Sequence, residues 1–411
     1  MSSHRILWTL LLVWAGLARA TEITAVSFSQ STDGSKLVTV HYTLSGDTST
    51  IWLDLSLDGG ATFQRLHQGT SGAIGLDVPP GSHSILVDLA ELGHPATATA
   101  QFRVVATDMN MVLIPAGQFM MGQAGVATPE HEVTLTNDFL LGCAEVTNAQ
   151  YLEALNWAQA QGLVSVVGDH VQQYGVNLLR INESGYDWHE IRYNASTQQF
   201  YMHAGTYTNS SDGIGPGFAY PGESYDPADH PVINVSWYGA ACYCDWLSQM
   251  NGLPAYYNGN WGQVPSPNNP YAATGYRLPT EAEWEFAAQY DDERSYPWGN
   301  ATPTCTLANF WPDDNPCVGW TSPVGAHPAG ASALGLQDMA GNLWEWCNDW
   351  YASYSSGPQS NPAGPASGSI RVRRGGYWGQ NASYLPCAYR NGNYPSVTSY
   401  YLGFRLCRTL S

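Results

Sequence analysis

Nine consecutive residues, Asp338-Met339-Ala340-Gly341-Asn342-Leu343-Trp344-Glu345-Trp346, carry the densest chemistry in the chain. Asp338 and Glu345 offer hard oxygen ligands, and Gly341 lets the backbone turn so that carbonyls point one way. Side-chain and backbone oxygens around one tight turn are what Ca²⁺ selects. The competing reading is a Trp-anchored core turn whose acids are merely hydrogen-bonded. Glu281 and Glu285, four apart on one predicted helix face, suggest acid/base work. Acids in a first helical turn are more simply explained by the helix dipole. No Gly-x-Ser-x-Gly elbow or phosphate loop occurs, and none of the 11 histidines forms a tight His-x-x-x-His cluster. His131, His189 and His230 read as hydrogen-bonded structural residues.

The elements that must hold these groups fall into two materials. Residues 21–107 are β-rich: Lys36–Tyr42, Ile51–Leu57, Ser84–Leu89 and Ala100–Val105 alternate, with Asp33-Gly34, Asp58-Gly59-Gly60 and Pro79-Pro80-Gly81 as turns. This predicts an immunoglobulin- or fibronectin-type β-sandwich, a spacer or adhesion module without cysteine. Residues 108–411 are loop-rich. Thr147 predicts a capped helix from Asn148 to about Gln161, and Ser236 caps another from Trp237 to Asn251. Thr280-Glu281-Ala282-Glu283 is a capping box. Val164 to Asp229 reads as short β-like pieces in Gly/Tyr-rich loops.

Residues 1–20 read as a secretory signal: Arg5, the apolar run Ile6–Ala15, then Ala18-Arg19-Ala20. No later run has the roughly 18 apolar residues of a membrane helix, so the mature chain is expected in a periplasmic or extracellular space without a membrane span. A net charge of −19, with only 15 Lys+Arg, argues against nucleic acid and anionic membranes. Eight cysteines in an exported chain suggest disulfides, and none forms a Cys-x-x-Cys pattern. The 16 Trp and 25 Tyr can line a binding groove or stiffen a core poor in regular structure.

From about Met111 to Cys407 the chain resembles the formylglycine-generating enzyme (sulfatase-modifying factor) family. The segments that carry the resemblance occur in the family's order: Met111–Gly122, Glu145-Val146-Thr147-Asn148, His230–Trp237, Tyr276–Glu285, Pro297-Trp298-Gly299-Asn300, Gly341–Trp346, Arg374-Gly375-Gly376 and Gly403-Phe404-Arg405. The family fold is α+β and loop-rich, a relative of the C-type lectin fold with structural calcium. The resemblance implies one calcium site on Asp338 (Asn in the well-known enzymes), the Gly341 and Leu343 carbonyls and Glu345. A second would use Asn309 and the Phe310 carbonyl, with further ligands from the shortened loop Trp311 to Trp320, where Asp313 or Asp314 are candidates.

Family enzymes oxidise a substrate cysteine to formylglycine with copper(I) held by two cysteines after the Gly-Gly segment, soft sulfur selecting the soft ion. Here Gly375 to Pro386 contains no cysteine. The next one, Cys387, matches a structural half-cystine whose usual partner position is Ala288, so Cys347 is its expected partner, with a lone catalytic Cys387 as the alternative. The resemblance pairs Cys244 with Cys407. Cys305 and Cys317 bracket the short loop as a local bridge, and Cys143 and Cys242 remain. Tyr377 and Trp378 stand where copper would be bound, with Arg390 and Asn391 just beyond, a candidate groove for a peptide or sugar.

The expectation is an exported, calcium- and disulfide-stabilised binding module for a protein or glycan, with copper absent. The alternatives are an enzyme still modifying a cysteine-bearing, sulfatase-like protein, and a purely structural or adhesive surface protein.

Overall fold

The structure, a computed structural model, describes residues 22–31, 36–45, 49–57, 64–66, 70–90, 101–107, 111–181, 189–203, 215–220, 225–259, 269–290, 292–313 and 315–410. The signal-like segment 1–20 lies outside them, as does Asp314. The chain divides into two compact units, Met1–Val112 and Leu113–Ser411. Among the described residues no helix is long and apolar enough to cross a membrane.

In the first unit, one antiparallel sheet orders the strands Glu22–Gln30, Leu37–Ser45, Gly81–Asp88 and Thr70–Gly72. In the second sheet, Ser49–Ser56 pairs with Gln64–Arg65, Gly75–Val78 and Gln101–Thr107. Alternation decides which face is buried: along Leu37–Ser45, Val38, Val40, Tyr42 and Leu44 point inward. They join Ile51, Leu53, Leu55, Ile85, Val87, Phe102 and Val104, so both sheets contribute to one apolar cluster.

The second unit is mostly strand and loop around three longer helices. α1 (Asn148–Ala160) is capped by Thr147, whose side chain accepts from the Gln150 amide while the Gln150 side chain reaches back to the Thr147 amide. α2 (Trp237–Met250) is capped by Ser236 and ends at Asn251. α3 (Glu281–Gln289) opens with the Thr280–Glu283 capping box. All three boundaries follow the cap residues. α2 packs closely on the strand Val176–Arg180: a Cβ at Gly239 would lie 2.2 Å from the Leu178 carbonyl oxygen. The stretch before it folds as two small antiparallel pieces, Ser165–Val167 with His170–Gln173 and Val176–Arg180, and Ile191–Asn194 with Gln199–Met202.

The C-terminal sheet positions the candidate site. Its order is Arg390–Asn393, Arg371–Arg374, Trp344–Trp350 and Leu402–Gly403. Every residue of Trp344–Trp350 is buried. Behind it, carboxylates of α3 meet Arg374 and Arg390 from distant segments and Arg277 from just before the helix. Arg374 contacts Glu285 and lies 3.2 Å from Glu281, while Arg390 holds Glu281 through Nε at 2.7 Å and Nη2 at 2.6 Å. Arg277 holds Glu283 through two bonds of 2.7 Å. Glu281 and Glu285 are thus committed to guanidinium partners, a stronger attraction than the helix dipole alone.

Candidate functional site

The turn that opens the sheet is left-handed at three points: Asp338 (φ 56°), Gly341 (φ 83°) and Asn342 (φ 59°). Gly341 is required there for space as well, since a Cβ would sit 2.3 Å from the Asn309 carbonyl oxygen. The Gly341 amide donates to the Gly375 carbonyl and the Asn342 amide to that of Asn309, each at 2.8 Å. Asp338 Oδ2 accepts from the Gly325 amide at 2.6 Å. Glu345 is fully buried and already engaged: Arg405 donates to both its oxygens at 2.6 Å, and Trp284 Nε1 to Oε2 at 2.8 Å.

Beside this turn stands a residue that the sequence marked only as the lead-in to α1. Glu145 is 3 % exposed, and neither carboxylate oxygen has a hydrogen-bond partner. Burial, then the Asp338 and Glu345 carboxylates, push its carboxyl well above the usual range. Gln337 adds another buried oxygen, Oε1, without a partner. Among the described residues no three of His, Cys, Asp and Glu converge tightly enough to hold an ion by themselves. A cation at this turn would therefore share side-chain oxygens with backbone carbonyls, as hard ions do.

Asn309 is buried, donates from Nδ2 to the Trp320 carbonyl at 2.8 Å, and leaves Oδ1 without a partner. The Phe310 carbonyl accepts from the Cys317 amide at 2.9 Å, and Cys317 is bonded to Cys305. Asp313 is exposed. A covalent bridge thus closes the loop on which further oxygen ligands were expected.

That bridge is the expected Cys305–Cys317 disulfide. The other pairings are corrected: Cys244, Cys407, Cys347 and Cys387 are thiols, not Cys244–Cys407 and Cys347–Cys387 bridges. All four are buried. Cys407 Sγ donates toward Glu283 at 3.7 Å, Cys242 Sγ toward Gln173 Oε1 at 3.4 Å, and Cys143 Sγ toward the Gly335 carbonyl at 3.6 Å. Cys143 and Cys242 therefore face different partners. Burial pushes the Cys387 thiol well up, so it keeps its proton, while its carbonyl accepts from Arg374 at 2.9 Å.

The four groove residues separate. Gly375 (φ 95°) and Gly376 (φ 76°) turn the chain so that Trp378 goes inward, 1 % exposed and packed at a tilt against Trp320, 5.3 Å between ring centroids. Trp378 is core, which corrects its place in the groove. Arg390 is spent on Glu281 and lies over Tyr351 and Tyr354, so it too leaves the groove. Tyr377 and Asn391 stay half-buried. Around them the fold gathers a tyrosine face: Tyr377 meets Tyr401 at 5.2 Å, Tyr401 meets Tyr400 at 5.4 Å, and Tyr384 meets Tyr389 at 5.0 Å.

Trp344, from the opening turn, underlies Tyr384 and Tyr389 at 6.4 and 6.0 Å. Arg373 lies over the Trp344 ring at 4.8 Å and the Tyr401 ring at 5.5 Å. Sequence reading missed Arg373, and its one signal was the alternation of Arg371, Arg373 and Arg374 along a strand.

A separate cavity of about 350 Å³ opens beside α3, lined among others by His131, Glu281, Asp349, Tyr354 and Arg390. Burial, then the Glu281 carboxylate, push Asp349 there to about 8.

The sulfatase-modifying factor enzyme 1-like domain matches residues 97–410. The formylglycine-generating enzyme of Bos taurus is 35% identical over 191 residues, 43% of each chain. Hercynine oxygenase of Mycolicibacterium smegmatis is 30% identical over 321 residues, 72% of this chain and 60% of that one. Serine/threonine-protein kinase pkn1 of Chlamydia caviae is 30% identical over 305 residues, 72% of this chain but 38% of its own length. The chain thus spans about two fifths of that kinase. Among solved structures, Treponema denticola variable protein 1 aligns with TM-score 0.49 at 26% identity, covering 74% of this chain and 96% of that one. With the domain match spanning most of its length, the chain belongs to the sulfatase-modifying factor enzyme 1-like family.

Proposed function

We propose that this family domain works as a binding module, holding a protein or glycan ligand on the tyrosine face over a calcium-stabilised interior. The observation that carries the reading is the fate of the region after Gly375-Gly376. It supplies half-buried tyrosines, and its nearest thiol, Cys387, is buried, protonated and without a second cysteine beside it in sequence. Copper(I) needs two accessible thiolates, so these residues do not fit that ion. Tyrosines with Asn, Ser and Gly between them suit recognition, because a rigid amphipathic ring gains contact area at small entropic cost.

Calcium fits the opening turn better than copper fits the face. Asp338, the Gly341 and Leu343 carbonyls and the unpartnered Glu145 would hold it, with Glu345 supporting from its Arg405 clamp. When bound, the ion would neutralise buried acids and lock the turn beneath Trp344. In this reading residues 1–20 direct export, and residues 21–107 are an immunoglobulin- or fibronectin-type spacer. Two antiparallel sheets sharing one apolar cluster support the spacer.

The oxidase alternative draws on family membership, and it requires Cys387 to open to solvent and ionise. A titration with copper(I) in the presence of a chelating indicator separates the two. No competition for the ion is expected, whereas one tight equivalent lost in Cys387→Ser would favour the oxidase.

A further inference from the structure

The cavity beside α3 is lined by other residues than the tyrosine face, and one acid in it has an oxygen to spare. Asp349, next to last in the strand Trp344–Trp350, is 4 % exposed. Its Oδ2 accepts from the Glu281 amide at 3.0 Å. Its Oδ1 has no hydrogen-bond partner among the described residues and is not sealed by protein atoms, so it opens into the cavity that Asp349 lines. Gly364 keeps that oxygen uncovered, since a Cβ there would lie 3.2 Å from it. The surrounding charges are already matched. Glu281 is held by Arg374 and Arg390, Glu285 by Arg374, and Glu283 by Arg277. Arg390 also donates through Nη1 to the Ala352 carbonyl at 2.6 Å, and the Tyr354 hydroxyl donates to Glu281 at 3.3 Å. Arg371 lies between the rings of Trp237 and Trp350, at 3.8 and 3.5 Å, and donates to the Asn348 carbonyl at 2.5 Å. Asp349 is left as the acid of this cluster without an ion-pair partner among the described residues.

A second acceptor lines the same space. His131 Nδ1 lies 3.1 Å from the Pro129 carbonyl, which can only accept, so Nδ1 carries the proton and Nε2 of the neutral ring is an acceptor. Nε2 has no partner among the described residues and, like Asp349 Oδ1, is not sealed. Packing edge-on against Tyr354 at 4.9 Å fixes the ring. Met121, Trp350, Pro362 and Ala363 add carbon surface to the lining, and Ser353 and Ser355 in it are exposed to solvent. Two open acceptors and apolar walls around about 350 Å³ suit a small cation on a hydrocarbon stem. The single free carboxylate oxygen discriminates between cations. A guanidinium fork needs both oxygens, and Oδ2 is spent, whereas an ammonium is a compact point charge. We propose that this cavity is a binding site for a primary alkylammonium group, with Asp349 Oδ1 and His131 Nε2 as its acceptors. The group comes from a lysine side chain of another protein or from a free small amine, and a net charge of −19 draws either one.

Burial and the Glu281 carboxylate hold Asp349 at about 8, so at pH 7 the empty cavity contains a protonated acid whose proton an ammonium would displace. The test titrates the full chain by calorimetry with butylammonium and with the peptide acetyl-Gly-Lys-Gly-amide, in two buffers of different ionisation heat. At pH 7 about one proton should leave per ammonium bound, and affinity should rise about tenfold from pH 6 to pH 7 and level off above pH 8. Asp349→Asn must keep its carbonyl oxygen on the Glu281 amide and so presents N–H groups to the cavity. It should weaken both ligands about thirtyfold or more and abolish the proton release. Melting of that variant no lower than wild type guards against misfolding, and proton release by the wild type decides the matter without any variant. Equal affinity for the two ligands would support the site and assign it to small amines, and tighter binding of the peptide would support it and assign it to lysine side chains. The peptide with acetylated lysine, or with arginine in place of lysine, should bind at least about tenfold more weakly. Equal binding of either control would overturn the proposal. So would absence of ammonium binding at pH 8.5, binding without proton release at pH 7, or binding that survives Asp349→Asn. Each of these outcomes leaves the tyrosine face standing.

Discussion

Two groups of arginines in the second unit, one behind the C-terminal sheet and one on its open face, are built on opposite terms. Arg277, Arg374 and Arg405 are fully buried, and each guanidinium meets a carboxylate, a distant one in sequence for Arg374 and Arg405 and the nearby Glu283 for Arg277. Arg373, on the adjacent strand position to Arg374, meets rings and no acid. Alternation along Arg371–Arg374 sends neighbouring side chains to opposite faces, so two consecutive arginines receive opposite duties. The lesson is that paired charge holds this loop-rich fold together, whereas Arg373 is held by aromatic rings in place of an acid.

Breaking a paired arginine should have the largest effect. Glu345→Gln leaves Arg405 buried with half its fork unmet, and the expected loss is about 3–5 kcal/mol in urea unfolding. A loss near zero would mean that the pair is not formed in solution.

Next comes an acid that lacks a matched cation. Asp349 is raised to about 8, so between its unfolded value near 4 and pH 8 the folded state keeps a proton the unfolded state has lost. Stability attributable to Asp349 is therefore intact at low pH and declines as pH rises through that window. Asp349→Asn should be close to wild type at pH 4 and more stable by about 3 kcal/mol at pH 9. Equal melting of the two proteins across pH 4–9 would contradict this.

Calcium probes the unpartnered oxygens. Ca²⁺ at a hundred times its dissociation constant should stabilise the protein by about 2.7 kcal/mol. Asp338→Ala and Glu145→Gln should each remove that shift, read by calorimetry with and without chelator. The smallest stability change is expected on the face itself. Arg373→Gln gives up ring contacts worth about 1 kcal/mol. A large destabilisation would move Arg373 into the fold-holding group and erase the contrast.

How much of this was legible in the sequence follows from interaction range. Thr147, Ser236 and Thr280 announced their helices because a cap acts over three residues. The Asp338–Trp346 turn was legible for the same reason, its glycine and acids lying within one short segment. The ion pairs were not, since Glu285 and Arg374 are 89 residues apart and Glu345 and Arg405 are 60 apart. Tyr377 and Trp378 looked equivalent as adjacent aromatics, and only the turn at Gly375 and Gly376 shows which goes inward. The pairings implied by the family pattern were not the ones found, since Cys244, Cys347, Cys387 and Cys407 are thiols. Cys305 and Cys317, twelve apart around one loop, were the pair that local reasoning could reach.

The measurement that bears most directly on the central claim, a domain that binds rather than oxidises, is a turnover assay. The protein is incubated aerobically with copper(I) and a Cys-x-Pro-x-Arg peptide, and aldehyde formation is followed by mass spectrometry. The account predicts no aldehyde, with Cys387 remaining a buried thiol resistant to alkylation under native conditions. Copper-dependent aldehyde formation that disappears in Cys387→Ser would contradict it, and would show that a single buried cysteine can open and carry the family's oxidation.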